Sequence, residues 1–200
     1  MMKRFERINL TPGLDVNSFR EQMQLINKSD LITRLCLDFR GADHLLEGSV
    51  LVDSIENACV DNLWIWQPEK WPVAFVPRLA KAIADNNRMS TVRLVLIMDC
   101  NDSIRRLIEE FASCHYLVNR LEVSCGNNRV PRELHRLIAE ALGPILRSSP
   151  ISYLTLQDFF FNEQSFSAIA SHLPIYQDYS IEFEACRFDK EATTAFIETF

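Results

Sequence analysis

Seven short apolar doublets recur along the 200-residue chain at almost constant spacing: Ile8/Leu10, Leu35/Leu37, Leu63/Ile65, Leu94/Leu96, Leu121/Val123, Leu154/Leu156 and Ile181/Phe183. Counted from the first member of each pair, the steps are 27, 28, 31, 27, 33 and 27 residues, and a helical pattern follows nearly every one. A unit of one short strand and one helix cannot bury its apolar face alone and must stack on copies of itself. The spacing therefore predicts an α/β solenoid of about seven strand–helix repeats, a single domain over residues 1–200, with a parallel sheet on the concave face of a horseshoe arc.

Within each unit the doublet alternates with polar or variable neighbours, the period of a strand with one buried face. In RLCLD, Leu35 and Leu37 point inward while Arg34, Cys36 and Asp38 point the other way. Downstream the period becomes helical. Ile104, Leu107, Ile108 and Phe111 form one stripe behind a cap at Asn101 or Asp102, and Leu134, Leu137, Ile138 and Leu142 form another behind Pro131. Phe19, Met23 and Ile26 follow Asn17, Phe166, Ile169, Ala170 and Leu173 follow Asn162, and Ala192, Phe196 and Ile197 follow Asp189. Proline and glycine are dispersed as turn punctuation, so no linker divides the chain.

These residues resemble a known family. An LxxLxL pattern followed by a helix at this period looks like the leucine-rich repeat of the ribonuclease-inhibitor type. The likeness is clearest in ISYLTLQDFFFNEQSFSAIASHL, where Ile151, Leu154, Leu156 and Phe161 fall on the family's inward positions. In DYSIEFEACRFDKEATTAFI, Cys186 takes the slot the family fills with Asn or Cys. The other units depart from the pattern, with Gly13, Arg40, Pro68, Asp99, Gly126 and Phe159 in that slot. The competing architecture is a doubly wound α/β domain. Nucleotide-binding versions carry a glycine-rich first turn, whereas here that turn is TPGLD and neither GxGxxG nor GxxxxGK[ST] occurs.

A formal charge of −6 and a pI near 5.3 speak against a chain that coats nucleic acid or an anionic membrane. The first residues lack the apolar run of a secretory signal, and the stretch near Val92 to Met98 is too short to span a bilayer, so a cytoplasmic protein is expected. The six cysteines, Cys36, Cys59, Cys100, Cys114, Cys125 and Cys186, show no CxxC spacing and read as reduced, mostly buried thiols.

On such a sheet the outward positions form three columns. Before the doublet they are Arg7, Arg34, Asn62, Arg93, Arg120, Tyr153 and Ser180; between its members Asn9, Cys36, Trp64, Val95, Glu122, Thr155 and Glu182; after it Thr11, Asp38, Trp66, Ile97, Ser124, Gln157 and Glu184. Trp64, Trp66, Val95 and Ile97 make an apolar island on a face expected to meet solvent, and aromatic anchors are what interfaces use as hot spots. The alternative is that LWIW and RLVLIM are strands buried on both sides, with Gln67 to Ala74 folded over them. Arg7, Arg34, Arg93 and Arg120 give way to Glu122, Glu182 and Glu184, a gradient that would orient a partner carrying carboxylates near the first repeats. The alternative there is mutual neutralisation with Asp38 or Glu122.

No catalytic or metal-binding constellation is expected. His44, His115, His135 and His172 lie in or beside helical stretches without HExxH spacing, there is no GxSxG, and Cys125 has no base identifiable from sequence. The expectation is a non-enzymatic module without cofactor that binds a protein partner through Trp64, Trp66, Val95, Ile97, Arg34, Arg93 and Arg120. The resemblance also implies a second class: a regulator of another enzyme, as an activator of small GTPases or a substrate-recognition subunit of a ubiquitin ligase. The chain ends in AFIETF, so the last repeat is expected to have an apolar flank that meets another copy or belongs to a longer array.

Overall fold

The computed structural model describes residues 4–9, 14–29, 32–38, 50–66, 72, 74–95, 103–113, 118–125, 130–148, 151–173 and 179–199. Strand and helix alternate: β1 Arg4–Asn9, α1 Val16–Asn27, β2 Ile32–Asp38, α2 Val50–Glu56, β3 Asn62–Trp66, α3 Phe75–Asp85, β4 Thr91–Val95, α4 Ser103–Ser113, β5 Arg120–Ser124 and α5 Arg132–Ser148. They continue as β6 Tyr153–Gln157, β7 Phe160–Phe161, α6 Glu163–Ala170, β8 Ser180–Glu184, β9 Arg187–Phe188 and α7 Lys190–Thr199. Seven strands form one wholly parallel sheet in the order β1-β2-β3-β4-β5-β6-β8, while β7 and β9 form a second two-stranded ladder.

That order never reverses. Parallel crossovers are right-handed, so strands added always on the same side place every connecting helix on one face, and each described helix packs on the next in the chain. A doubly wound sheet needs a point where the order turns back; the described strands have none. No described helix therefore lies on the opposite face of the sheet.

The ladder corrects two of the expected doublets. Leu63 pairs with Val92 and Ile65 with Leu94, so the inward pair of β4 is Val92/Leu94, both fully buried. In β1 the positions beside Leu35 and Leu37 are Glu6 and Ile8. Leu10 and Leu96 lie outside the described residues. The first inward position thus falls at 6, 35, 63, 92, 121, 154 and 181, in steps of 29, 28, 29, 29, 33 and 27 residues. The apparent step of 31 vanishes, and the step of 33 remains because it contains α5, a helix of 17 residues that runs on through Pro144.

Backbone bonds upstream of the strands hold this register. The carbonyl of Asp61 accepts from both Ser90 N and Thr91 N, that of Ser90 from Arg120 N, and that of Asn119 from Ser152 N and Tyr153 N. Ladder pairing therefore starts before the first inward side chain. After β6 and β8, Asp158 (φ 60°) and Ala185 (φ 51°) take the left-handed conformation and turn the chain toward β7 and β9.

One hydrophobic cluster runs from Phe19 to Ala192. Each helix contributes a stripe at the expected spacing: Phe19, Met23 and Ile26 in α1, Leu107, Ile108 and Phe111 in α4, Phe166 and Ile169 in α6. Asp15, two residues before Asn17, caps α1, its carboxylate accepting from Asn17 N (2.8 Å) and Ser18 N (3.0 Å). Asn162 caps α6 with Ser165 reciprocating, and Asp189 Oδ1 accepts from Ala192 N at 2.8 Å. Asn101, Asp102 and the segment Gln67 to Trp71 lie outside the described residues. The stripe of α7 holds only in part: Ala192 is buried, but Ile197 is 71% exposed.

Asparagines, Asn86 buried and Asn27 half-buried, tie neighbouring units together. Asn86 Nδ2 donates to the carbonyls of Ile55 (2.8 Å) and Ala58 (3.0 Å), while its Oδ1 accepts from Arg88 N (3.0 Å). Asn27 Oδ1 accepts from Cys59 N at 3.1 Å. Among the described residues no helix is long and apolar enough to cross a membrane.

Candidate functional site

The corrected register rearranges the outward columns. The middle column reads Arg7, Cys36, Trp64, Arg93, Glu122, Thr155 and Glu182, and the next reads Asn9, Asp38, Trp66, Val95, Ser124, Gln157 and Glu184. Thr91 occupies the place expected of Arg93 in the first column, between Asn62 and Arg120. Arg34, Arg93 and Arg120 therefore do not share a column; Arg93 stands between Trp64 and Glu122.

This placement changes what Trp64 can offer. Its ring lies under two guanidiniums from the flanking strands, Arg34 with Cζ 4.5 Å from the ring centroid and Arg93 at 4.7 Å. The expected apolar island is a cation–π sandwich at this position. Trp66 is half-buried between Asp38 and Val95, and Val95 is only 8% exposed. Ile97 lies outside the described residues.

From Arg93 the polar contacts continue toward β8. Arg93 Nη2 donates to Gln157 Oε1 at 2.6 Å, and Nη1 stands 3.4 Å from Glu122 Oε2. Arg120 Nε donates to the other oxygen of Glu122 at 2.8 Å. Its Nη2 reaches Thr155 Oγ1 and Glu182 Oε2, each at 3.2 Å, and the Thr155 hydroxyl donates to Glu182 Oε2 at 3.0 Å. Arg93 and Arg120 thus share Glu122, the neutralisation weighed from the sequence. Glu122 keeps 17% of its side-chain surface, so these contacts are only partly screened by water. The side chains surround a hollow of roughly 350 Å³ whose wall includes Arg34, Trp64, Glu122, Gln157 and Glu184.

Of the remaining candidates, His135 is structural. It is buried, its Nδ1 accepts from Phe160 N at 2.8 Å, and its Nε2 lies 3.1 Å from the carbonyl of Val130. One nitrogen accepts from a backbone N–H, so the proton sits on Nε2 and the ring is neutral. Burial, helped by the positive charge of Arg132, holds its pKa below the ordinary histidine value. His172 Nδ1 sits 2.8 Å from the carbonyl of Ala168; His44 and His115 lie outside the described residues. Cys36 and Cys125 are buried, and Cys59 and Cys186 are half-buried. Burial pushes the Cys186 thiol up to about 11, and its Sγ donates to the Leu156 carbonyl at 3.2 Å. Cys100 and Cys114 lie outside the described residues. Among the described residues no group of three His, Cys, Asp or Glu side chains is placed to hold a metal ion.

Sequence reasoning named Trp64, Arg34, Arg93 and Arg120 but missed Gln157 and Thr155 as their partners. Both were visible as outward positions of β6, yet the link to Arg93 depends on a register two residues from the expected one. No family model matches the chain, and no curated protein matches it.

Proposed function

We propose that the chain is a leucine-rich-repeat solenoid of the ribonuclease-inhibitor type, curved into an open arc, and that its concave sheet face binds a protein partner. The strictly sequential parallel sheet and the near-constant step of its inward positions support the architecture. The observation that carries the functional reading is the Arg34–Trp64–Arg93 sandwich joined to the Glu122–Arg120–Glu182 network around one hollow. Tryptophan and arginine are the residues on which interface energy concentrates. Here their rotamers are held by neighbours before any partner arrives, which lowers the ordering cost of association.

The role in this reading is recognition, and it is supported by Arg93 and Arg120 being held by Glu122 and Glu182 along the hollow. Arginines cluster on β2 to β5 and carboxylates on β8, so the partner presents acidic groups toward the former and basic ones toward the latter. The test is affinity capture with the intact chain, identification by mass spectrometry, and titration of the purified partner. Trp64→Ala/Trp66→Ala is expected to weaken that binding at least about thirtyfold, the scale of one hot spot of 2 kcal/mol. Unchanged affinity in a folded double variant would overturn the assignment of this face.

A further inference from the structure

Donors and acceptors along the hollow are not balanced. Glu122 offers one oxygen to Arg93 and the other to Arg120, Gln157 Oε1 accepts from Arg93 Nη2 at 2.6 Å, and the Thr155 hydroxyl is engaged by Arg120 and Glu182. A guanidinium carries no acceptor, so the atom of the Gln157 amide that meets Arg93 is its oxygen. The amide nitrogen, with two N–H groups, is left without a partner among the described residues. Beside Gln157 in the ladder stands Ser124. It is 5% exposed and borders the hollow, yet its hydroxyl has no hydrogen-bond partner among the described residues. Polar side chains buried this deeply ordinarily have one. Two donors thus lie side by side on β5 and β6, in the interior of the sheet, with paired strands on both sides of each.

We propose that the hollow seats a carboxylate, taken by the Ser124 hydroxyl and the Gln157 amide nitrogen in the field of the arginines that line the same wall. The inference rests on the reading of this face as the recognition surface and names the group the partner brings, an acidic side chain or a chain terminus. Charge selects an anion over a neutral amide or a cation. Three guanidiniums, those of Arg34, Arg93 and Arg120, line the hollow against the carboxylates of Glu122 and Glu184. Glu122 is held between two of those arginines and is neutralised by them. Glu184, next to Gln157 in the ladder, is the lining group that opposes the ligand. Hydrogen bonds from a hydroxyl and an amide to an ionised acceptor belong to the strong class. A volume of roughly 350 Å³ lies at the low end of the range of about 300–1,000 Å³ usual for ligand pockets, which suits one side chain or chain end.

Proton–nitrogen NMR of the labelled full chain, observing the Gln157 side-chain amide, reads this out. The probes are N-acetylglutamate α-amide, whose only carboxylate is on the side chain, N-acetyldiglycine, whose only carboxylate is terminal, N-acetylglutamine α-amide as the neutral counterpart, and inorganic phosphate. The expected result is a saturable shift with the carboxylate probes, the tighter of the two naming the source, and none with the glutamine probe. Ser124→Ala and Gln157→Glu, each checked for folding by circular dichroism, are expected to weaken the carboxylate at least about tenfold, the scale of one hydrogen bond to a charged group. Glu184→Gln is expected to tighten it about two- to fivefold by removing a partly solvated like charge. Failure of both carboxylates to saturate, equal binding of the glutamine probe, tighter binding of phosphate, or wild-type affinity in folded Ser124→Ala and Gln157→Glu would each overturn the proposal. The wider reading fails separately. If Trp64→Ala/Trp66→Ala loses the captured partner while carboxylates do not bind, only the carboxylate seat is overturned; if carboxylates bind but the partner ignores both tryptophans, the seat stands and the assignment of the face falls.

Discussion

Replacing Asn86 by alanine tests how the units are held together. The side chain is 5% exposed and makes three hydrogen bonds, two to the carbonyls of Ile55 and Ala58 and one from Arg88 N. Ile55 lies in the last turn of α2, whose final carbonyls have no partner within the helix. Alanine therefore removes a donor from two carbonyls of the preceding unit, of which that of Ile55 keeps the N–H of Ala58 at 3.2 Å. At about 1 kcal/mol for each bond lost, and more for groups left buried without water, the cost is about 2–4 kcal/mol. For a domain of this size that lowers the melting temperature by about 4–16 °C. Asn86→Asp is expected to cost more, because it keeps the acceptor for Arg88 N but turns a carboxylate oxygen on two carbonyls. Asn27→Ala, which removes a single bond from Cys59 N, is expected to cost about 1 kcal/mol. Urea unfolding followed by circular dichroism gives all three. An Asn86→Ala cost below about 0.5 kcal/mol, or an aspartate tolerated better than alanine, would refute the assignment of Asn86 as the tie between units.

Two further perturbations follow from particular contacts. Gly143→Ala in α5 would normally gain helix propensity of up to about 1 kcal/mol. Here the new methyl would meet His172 Nδ1 at 2.9 Å and the backbone carbonyl of Ala168 at 3.1 Å, so thermal melts are expected to show a net loss. The pH dependence of stability follows from His135. Its folded pKa lies below the ordinary value of 6.5, so the unfolded chain takes up a proton first as pH falls. Its contribution is present above that value and is lost as pH drops through it toward the folded pKa. Urea midpoints measured down this window are expected to decline in the wild type and to flatten in His135→Gln.

The order of elements and most of the core were legible because the repeat imposes both. Five of the seven doublets fall at the inward positions, since RLCLD, NLWIW, RLEVS, YLTLQ and SIEFE each offer one alternation. In TVRLVLIM, apolar residues occupy both Leu94/Leu96 and Val92/Leu94, and alternation is blind to a shift of two. What decides is the upstream pairing of Ser90 and Thr91 with Asp61, a backbone event without a side-chain signature. The same shift hid part of the site. Trp64 was recognised as an outward aromatic, but its sandwich with Arg93 and the bond from Arg93 to Gln157, 64 residues away, follow only from the true register. Asn86 and His135 were invisible for another reason: their partners are main-chain atoms of neighbouring turns, and no side-chain pattern announces them.

The described strands pair only with those of the adjacent strand–helix unit, so among them no long-distance closure delays folding. Structure can nucleate in the middle of the array, where β4 and β5 are flanked on both sides, and spread outward unit by unit. The amides of β8 and β9, with only a half-buried layer beneath them, should then exchange with deuterated solvent well before those of β4 and β5, giving a protection profile that declines toward the sheet's edges.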